Sequence, residues 1–319
     1  MPKPTFSARA SGKIILFGEH AVVYGQPALA VPVNDIFVEA EVSDSPRAGI
    51  TIAAPDIGLH AELSRLAREN PLASLVEAVF AALNIARTDR PKIEIKITST
   101  IPIAAGLGSG AAVSVAVIRA LSAYLGTPLE DARINQIAHE IEKIHHGTPS
   151  GIDNTVITYG KPVFFLKSEQ EAEPTIETLH VARPFTLLIA DTGVPALTKE
   201  SVADVRKLRE ENPRKVNALF AAAGSIVRTA RQAIEGGHPE YLGALMNENQ
   251  RVLQEIGVSS PELDRLTVAS LDAGASGAKL SGGGRGGNMI ALSTRENAPT
   301  IAEALLDAGA KNVILTEVR

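Results

Sequence analysis

Twelve residues, Ile101-Pro-Ile-Ala-Ala-Gly-Leu-Gly-Ser-Gly-Ala-Ala112, constrain this chain more than any other segment. A strand-like alternation over residues 92–98 is broken by Pro102, and a glycine-rich turn then feeds a run of small apolar residues. That run, 107–125, is apolar nearly all round, which predicts a helix buried inside the fold. Glycines let backbone N–H groups close on a ligand without Cβ obstruction. The free N–H donors and positive dipole end of a helix bind an anion. A tight strand-to-helix turn that binds nothing is equally compatible with this segment taken alone.

Two other phosphate motifs fail here. A Walker A loop ends in Gly-Lys-Ser/Thr, and no lysine follows this loop. Gly106, Gly108 and Ala111 match a G-x-G-x-x-A fingerprint, but that reading needs a second strand ending in an acidic residue about 20 positions on. Residues 126–130 instead form a turn into another helix. A second cluster, Ser281-Gly-Gly-Gly-Arg-Gly-Gly287, has five glycines in seven positions. Such flexibility costs entropy on folding. Close backbone approach to a ligand, or to the first glycine loop, accounts for it better than a flexible hairpin.

Hydrophobic periodicity predicts strands at 13–17, 28–33, 37–42 and 92–98. A helix is predicted over 71–84, with Leu72, Leu75, Val76, Val79, Phe80 and Leu83 on one face. A second covers 129–146, with Ile134, Ile137, Ala138, Ile141 and Ile144 inward. After an acidic stretch at 167–177, expected to be an exposed loop, the pattern gives a strand at 185–190 and helices at 199–211, 214–235, 240–255 and 261–273. Paired strands at 278–281 and 288–293, a helix at 298–308 and a strand at 312–317 complete the chain. Strands and helices interleave without a strict βαβ repeat, so two α+β domains are expected, residues 1–180 and 181–319.

Composition removes several function classes. Across 319 residues, 45% are hydrophobic, enough for real cores, and the net charge of -5 has no like-charge block to meet nucleic acid or an anionic membrane. There is no cysteine, hence no disulfide, thiol catalysis or thiolate metal site. No Trp and 4% aromatics leave few platforms for stacking bases. No signal peptide or membrane span is apparent, so a cytoplasmic protein is expected.

Three groups stand out as chemistry. Lys13 opens an apolar strand in Ser11-Gly-Lys-Ile-Ile-Leu-Phe-Gly-Glu-His20, where a solvated strand end is the ordinary reading. Glu19 and His20 follow Gly18, which suggests a turn holding polar groups at the strand's end. Glu142 lies on the 129–146 helix, and Pro149-Ser-Gly-Ile-Asp-Asn154 forms a turn after it, where Asp153 reads as an ordinary turn residue. His139, Glu142 and His146 share a helix face and raise a zinc alternative. The two-His zinc-protease spacing would need histidine at position 143, which is Lys143, so His139, His145 and His238 are expected to be structural or exposed.

With these residues placed, the sequence resembles the galactokinase, homoserine kinase, mevalonate kinase and phosphomevalonate kinase (GHMP) superfamily. Its three motifs occur in order at 13–27, 102–112 and 279–287. Gly18-Glu-His-Ala-Val-Val-Tyr-Gly25, and Glu142 with His146-Gly-Thr-Pro-Ser-Gly-Ile-Asp-Asn154, are similar to the branch whose acceptor is mevalonate. The resemblance implies an N-terminal domain like the second domain of ribosomal protein S5, a ferredoxin-like C-terminal domain, and a site in the cleft between them. It implies ATP as co-substrate, Mg²⁺ as cofactor, and transfer to the 5-hydroxyl of mevalonate.

The resemblance also implies roles. Asp153 would be the general base, with Lys13 beside it stabilising the attacking oxygen. Pro102, Ala105, Gly106, Leu107, Gly108, Ser109, Gly110, Ala111 and Ala112 would cradle the phosphates. Glu142 would ligate Mg²⁺, and Glu19, His20 and Asp153 would hold the substrate. Two positions depart from the family. Gly110 stands where a second, metal-ligating serine is usual, leaving Ser109 or water as substitute. Arg285 stands where many relatives have glycine, and either reaches a phosphate or is exposed. Phosphomevalonate kinase and a silent ligand-binding member are the alternatives, and a homodimer is an open option.

Overall fold

Alternating apolar residues build the two longest strands, β1 (Phe6–Phe17) and β2 (Ala28–Asp44). β2 joins the runs expected at 28–33 and 37–42 into one strand, because Asn34 and Asp35, which interrupt the pattern, are simply exposed midway along it. The structure, a computed structural model, describes residues 4–67, 70–102, 105–146, 149–167, 174–196 and 198–319, with the side chains of His145 and His146 outside that set. Compactness divides the chain into two units. The first comprises Met1–Gly12, Ile36–Ile103 and Gly108–Gly160, and the second Lys13–Asp35, Ala104–Leu107 and Lys161–Arg319. The units thus exchange two short segments that a division in chain order near residue 180 would not.

In the first unit, β3 (Ile50–Ala54), β4 (Leu59–Glu62) and β5 (Ile93–Ser99) extend the second half of β2 in the order β4-β3-β5-β2. β3 and β5 run parallel and the other neighbours antiparallel. Four helices pack with this sheet or on one another: α1 (Pro71–Ala82), α2 (Ser109–Tyr124), α3 (Asp131–His146) and α4 (Ile152–Tyr159). α1 begins where Asn70 Oδ1 accepts from the N–H groups of Leu72 and Ala73 at 3.0 and 3.3 Å, with Pro71 preset for the first turn. α2 touches α1, α3, α4 and β5, which is why its sequence is small and apolar on every side. The apolar stripe of α3 ends at Ile141. Ile144, expected inward, is 60% exposed.

In the second unit, β6 (Val163–Leu166) pairs with the first half of β2 and with β7 (Thr175–Thr178). The stretch expected to be loop therefore ends in a strand. A second sheet follows, with β8 (Phe185–Asp191), β9 (Gly277–Ser281), β10 (Asn288–Ser293) and β11 (Asn312–Val318) in the antiparallel order β11-β8-β10-β9. Its helices are α5 (Thr198–Glu211), α6 (Pro213–Glu235), α7 (Leu242–Glu255), α8 (Pro261–Asp272) and α9 (Ala298–Asp307). Strand, helices, two strands, helix, strand is the ferredoxin-like arrangement with added helices. Leu188, Leu263, Leu266, Met289, Ile301 and Leu305 form its core. β9 is an edge strand, and α7 closes that edge: Asn247 Oδ1 accepts from Ala278 N at 3.0 Å and Gln250 Oε1 from Leu280 N at 2.9 Å. Among the described residues no helix is long and apolar enough to cross a membrane.

The loop between β9 and β10 carries the second glycine cluster. Gly284 has φ 75°, and a Cβ there would lie 2.0 Å from the Val258 carbonyl oxygen. Gly282 has φ 86°, but a Cβ there would meet nothing within 4 Å. Gly282→Ala should cost only the left-handed penalty of about 1–2 kcal/mol. Gly284→Ala should cost about 4 kcal/mol or more, because backbone must move. Chemical denaturation of both variants checks this, and equal losses would contradict the packing described.

Candidate active site

The glycine-rich turn of the 102–112 motif ends in a bare helix terminus. Gly108, φ 76°, is the N-cap of α2, and no side chain caps it. The first intrahelical bond from this end is Ala112 N to Gly108 O at 3.0 Å, so the N–H groups of Ser109, Gly110 and Ala111 have no partner within the helix. In the second unit, the carbonyls of the preceding turn are each held. Lys13 N donates to Leu107 O at 2.9 Å, Lys13 Nζ to Gly106 O at 3.2 Å, and Asn288 Nδ2 to Ala105 O at 2.6 Å. Holding carbonyls on one side turns N–H groups to the other, as an anion cradle requires. Pro102 and Ala105 are half-buried and Leu107 is buried. Ile103 and Ala104 lie outside the described residues.

Glu142, half-buried on α3, approaches the same helix end. Its Oε1 lies 3.2 Å from where a Cβ on Gly110 would be. The missing serine therefore has a steric counterpart, since the position is open to the Glu142 carboxylate. Gly110 and Glu142 also line a cavity of about 600 Å³, whose walls include Ile57, Leu72, Ile97 and Val113. No sequence pattern points to this cavity, because its residues come from five separate segments. Among the described residues no group of three His, Asp or Glu could hold a metal. The side chain of His146, one of the three members of the zinc alternative, lies outside that set.

Asp153 is not in a turn. It occupies the first turn of α4, after Gly151 with φ 85° as N-cap. The next residues lock that helix to α3: Asn154 Nδ2 donates to Asn135 Oδ1 at 2.6 Å, Asn135 Nδ2 donates to Thr155 Oγ1 at 3.3 Å, and Thr155 Oγ1 donates to Gly151 O at 2.7 Å.

In the second unit, Glu19 and His20 are both buried, at 5% and 6% exposure. His20 adopts φ 58° and its Nε2 bonds the Gly283 carbonyl at 3.0 Å. Burial lowers its pKa, the Gly283 bond opposes this, and nearby Arg285 lowers it further, so the ring is neutral at pH 7. Glu19 forms a buried ion pair with Lys279, a residue that sequence reasoning gave no role. Burial pushes the Lys279 ammonium below the ordinary lysine value, and Glu19 opposes that shift. Removing one partner of such a pair costs about 3–5 kcal/mol. The turn is anchored further by Tyr24, stacked on Phe220 at 4.6 Å with Arg209 over its ring at 4.8 Å.

The second glycine cluster packs closely on its own unit at Gly284, where a Cβ would lie 2.0 Å from the Val258 carbonyl oxygen. Arg285 is engaged within the same unit. It pairs with Asp204, its Nε and Nη2 each donate to Gly257 O at 3.3 Å, and its backbone N donates to Val258 O at 2.8 Å.

The family profiles agree with this architecture. The GHMP kinases N terminal domain matches residues 73–161, and GHMP kinases C terminal matches 230–311. A mevalonate kinase of Thermococcus gammatolerans is 38% identical over 98% of this chain and 95% of its own length. One from Pyrococcus furiosus is 37% identical over 98% and 95%. The crystal structure of L. major mevalonate kinase in complex with R-mevalonate superposes with a TM-score of 0.85 at 29% identity, covering 100% of this chain and 99% of that one. The chain belongs to the GHMP kinases, in the mevalonate kinase family.

Because Arg285 is engaged with Asp204 and Gly257, Arg285→Ala should lower stability by about 1 kcal/mol, the scale of an exposed pair. The KM for ATP should stay within about twofold. A rise of about tenfold in that KM would contradict the placement of Arg285.

Proposed function

We propose that this chain transfers the γ-phosphoryl group of ATP to the 5-hydroxyl of mevalonate, giving 5-phosphomevalonate and ADP. The observation that carries the proposal is the bare N-terminus of α2 with the Glu142 carboxylate beside it. A helix end with three N–H groups that have no partner within the helix favours phosphate oxygens. A carboxylate and a triphosphate at one helix end repel each other unless a cation lies between them. The donors are hard oxygens, which fits Mg²⁺. Glu142 and Ser109 would hold it, and the ion supplies neutralisation of phosphate charge. The largely apolar cavity beside Gly110 has the character expected for the nucleotide base.

Asp153 takes the proton from the acceptor hydroxyl as its oxygen bonds to the γ-phosphorus, and the bond to the β-phosphate oxygen breaks to release ADP. A half-buried carboxylate on a helix locked by Asn135 and Asn154 suits that task. Lys13 holds the phosphate turn through Gly106 and Leu107 and provides positive charge for the attacking oxygen. Glu19 and His20, in a neutral-imidazole and ion-paired setting, hold polar groups of the acceptor. This division gives residues 1–180 the phosphates and acceptor, and residues 181–319 the ferredoxin-like domain.

An ADP-release assay over mevalonate, phosphomevalonate, galactose and homoserine tests the reading. Mevalonate should give the highest kcat/KM, and a higher value for any other acceptor would overturn the substrate assignment. In the same assay Asp153→Asn should lower kcat by about 10²–10⁴ with little change in the KM for ATP. Near-normal turnover would remove Asp153 as the base.

A further inference from the structure

Lys279 is a charged side chain with 0% exposure, and the reaction outlined above does not use it. Its ammonium donates to Glu19 Oε1 and, at 2.6 Å, to the Leu280 carbonyl, with the Phe17 ring centroid 6.0 Å away. These contacts hold Nζ in place, and its full burial keeps it from reaching a ligand itself. Stability does not explain such a pair, since apolar replacements of similar volume are often neutral or stabilising. The other carboxylate oxygen is the second observation. Glu19 Oε2 is buried and has no hydrogen-bond partner among the described residues. An acceptor left this way is costly unless something completes it.

We propose that Lys279 is a positioning residue, which holds the Glu19 side chain through Oε1 with Oε2 presented to a hydroxyl of the acceptor substrate. The ion pair fills one oxygen and leaves the other for the ligand. The substrate hydroxyl then donates into a site that offers acceptance and nothing else. An analogue without that hydroxyl leaves a buried charge incompletely solvated, so the pair selects for the hydroxyl. Among the described residues, the other titratable and charged groups around this turn include His20, bonded to Gly283 O, Tyr24 with Arg209 over its ring, and Arg285 from the β9–β10 loop. The facing α7 side chains Asn247 and Gln250 are neutral and occupied with β9. This inference rests on the assignment of the 18–25 turn to the acceptor under Proposed function.

Lys279→Met, Glu19→Gln and the double variant separate positioning from structure. Thermal midpoints are measured beside KM for mevalonate, KM for ATP and kcat. Each single variant should lose thermal stability, because one buried charged partner is left alone. The double variant should recover most of that loss, since both groups are then neutral. Its KM for mevalonate should nevertheless stay at least about tenfold raised while the KM for ATP stays within about twofold. A double variant that regains both the thermal midpoint and the mevalonate KM would overturn the proposal, showing the pair to be structural. Should Lys279→Met fail to fold alone, the double variant against wild type decides by the same two outcomes. If wild type prefers another acceptor, the substrate assignment falls, and the KM for that acceptor then tests Lys279 by the same criteria.

Discussion

The uncapped first turn of α2 is the constraint on which the rest of this chain's chemistry depends. Gly108 gives the helix a start with no side chain to satisfy its N–H groups, so an anion or water must do so. Gly110 extends the opening, and the Glu142 carboxylate stands 3.2 Å from where a Cβ would be. A carboxylate near a helix N-terminus is favourable by itself. In the proposed function, phosphates at the same place would conflict with that carboxylate, and a divalent cation would resolve the conflict. Gly110 in place of the usual serine and the proposed dependence on Glu142 would then be two sides of one geometry.

The turn that presents this helix is fixed by groups whose other roles conceal the job. Lys13 reaches it through both its backbone N–H and its ammonium, and Asn288 through its side-chain amide. Within the second unit, the 18–25 turn is held by different means: a buried ion pair, a histidine bond to Gly283 and an aromatic stack. These contacts join residues from 93 to 263 positions apart in sequence, so neither turn forms its geometry from local preference alone.

Sequence patterning carried much of this architecture. The helices α1, α3, α6 and α8 follow from apolar spacing, and the structure adds Asn70 and Ser260 as caps of α1 and α8 with proline next. Strands β8 and β10 are legible because both are buried along their length. What escaped has physical reasons. α4 is only eight residues long and buries Asn154, Thr155 and Thr158 beside Ile152, Val156 and Ile157, so its apolar period is short and interrupted. β3 and β4 are short and separated by Pro55 and Gly58, which look like turn. Of the site, the motifs place the phosphate loop and the carboxylates, and their roles came from family resemblance. Lys279 was invisible because lysine is expected outside, and its partner lies 260 positions away. The apolar cavity was invisible because no single segment makes it.

The most direct test of the account is the Mg²⁺ dependence of Glu142→Gln. Removing one anionic oxygen beside a loop that has glycine at 110 should raise the Mg²⁺ concentration for half-maximal rate and lower the maximal rate. Gly110→Ser, which supplies a hydroxyl at the same helix end, should recover part of both losses. An unchanged Mg²⁺ requirement with normal turnover in Glu142→Gln would contradict the central claim.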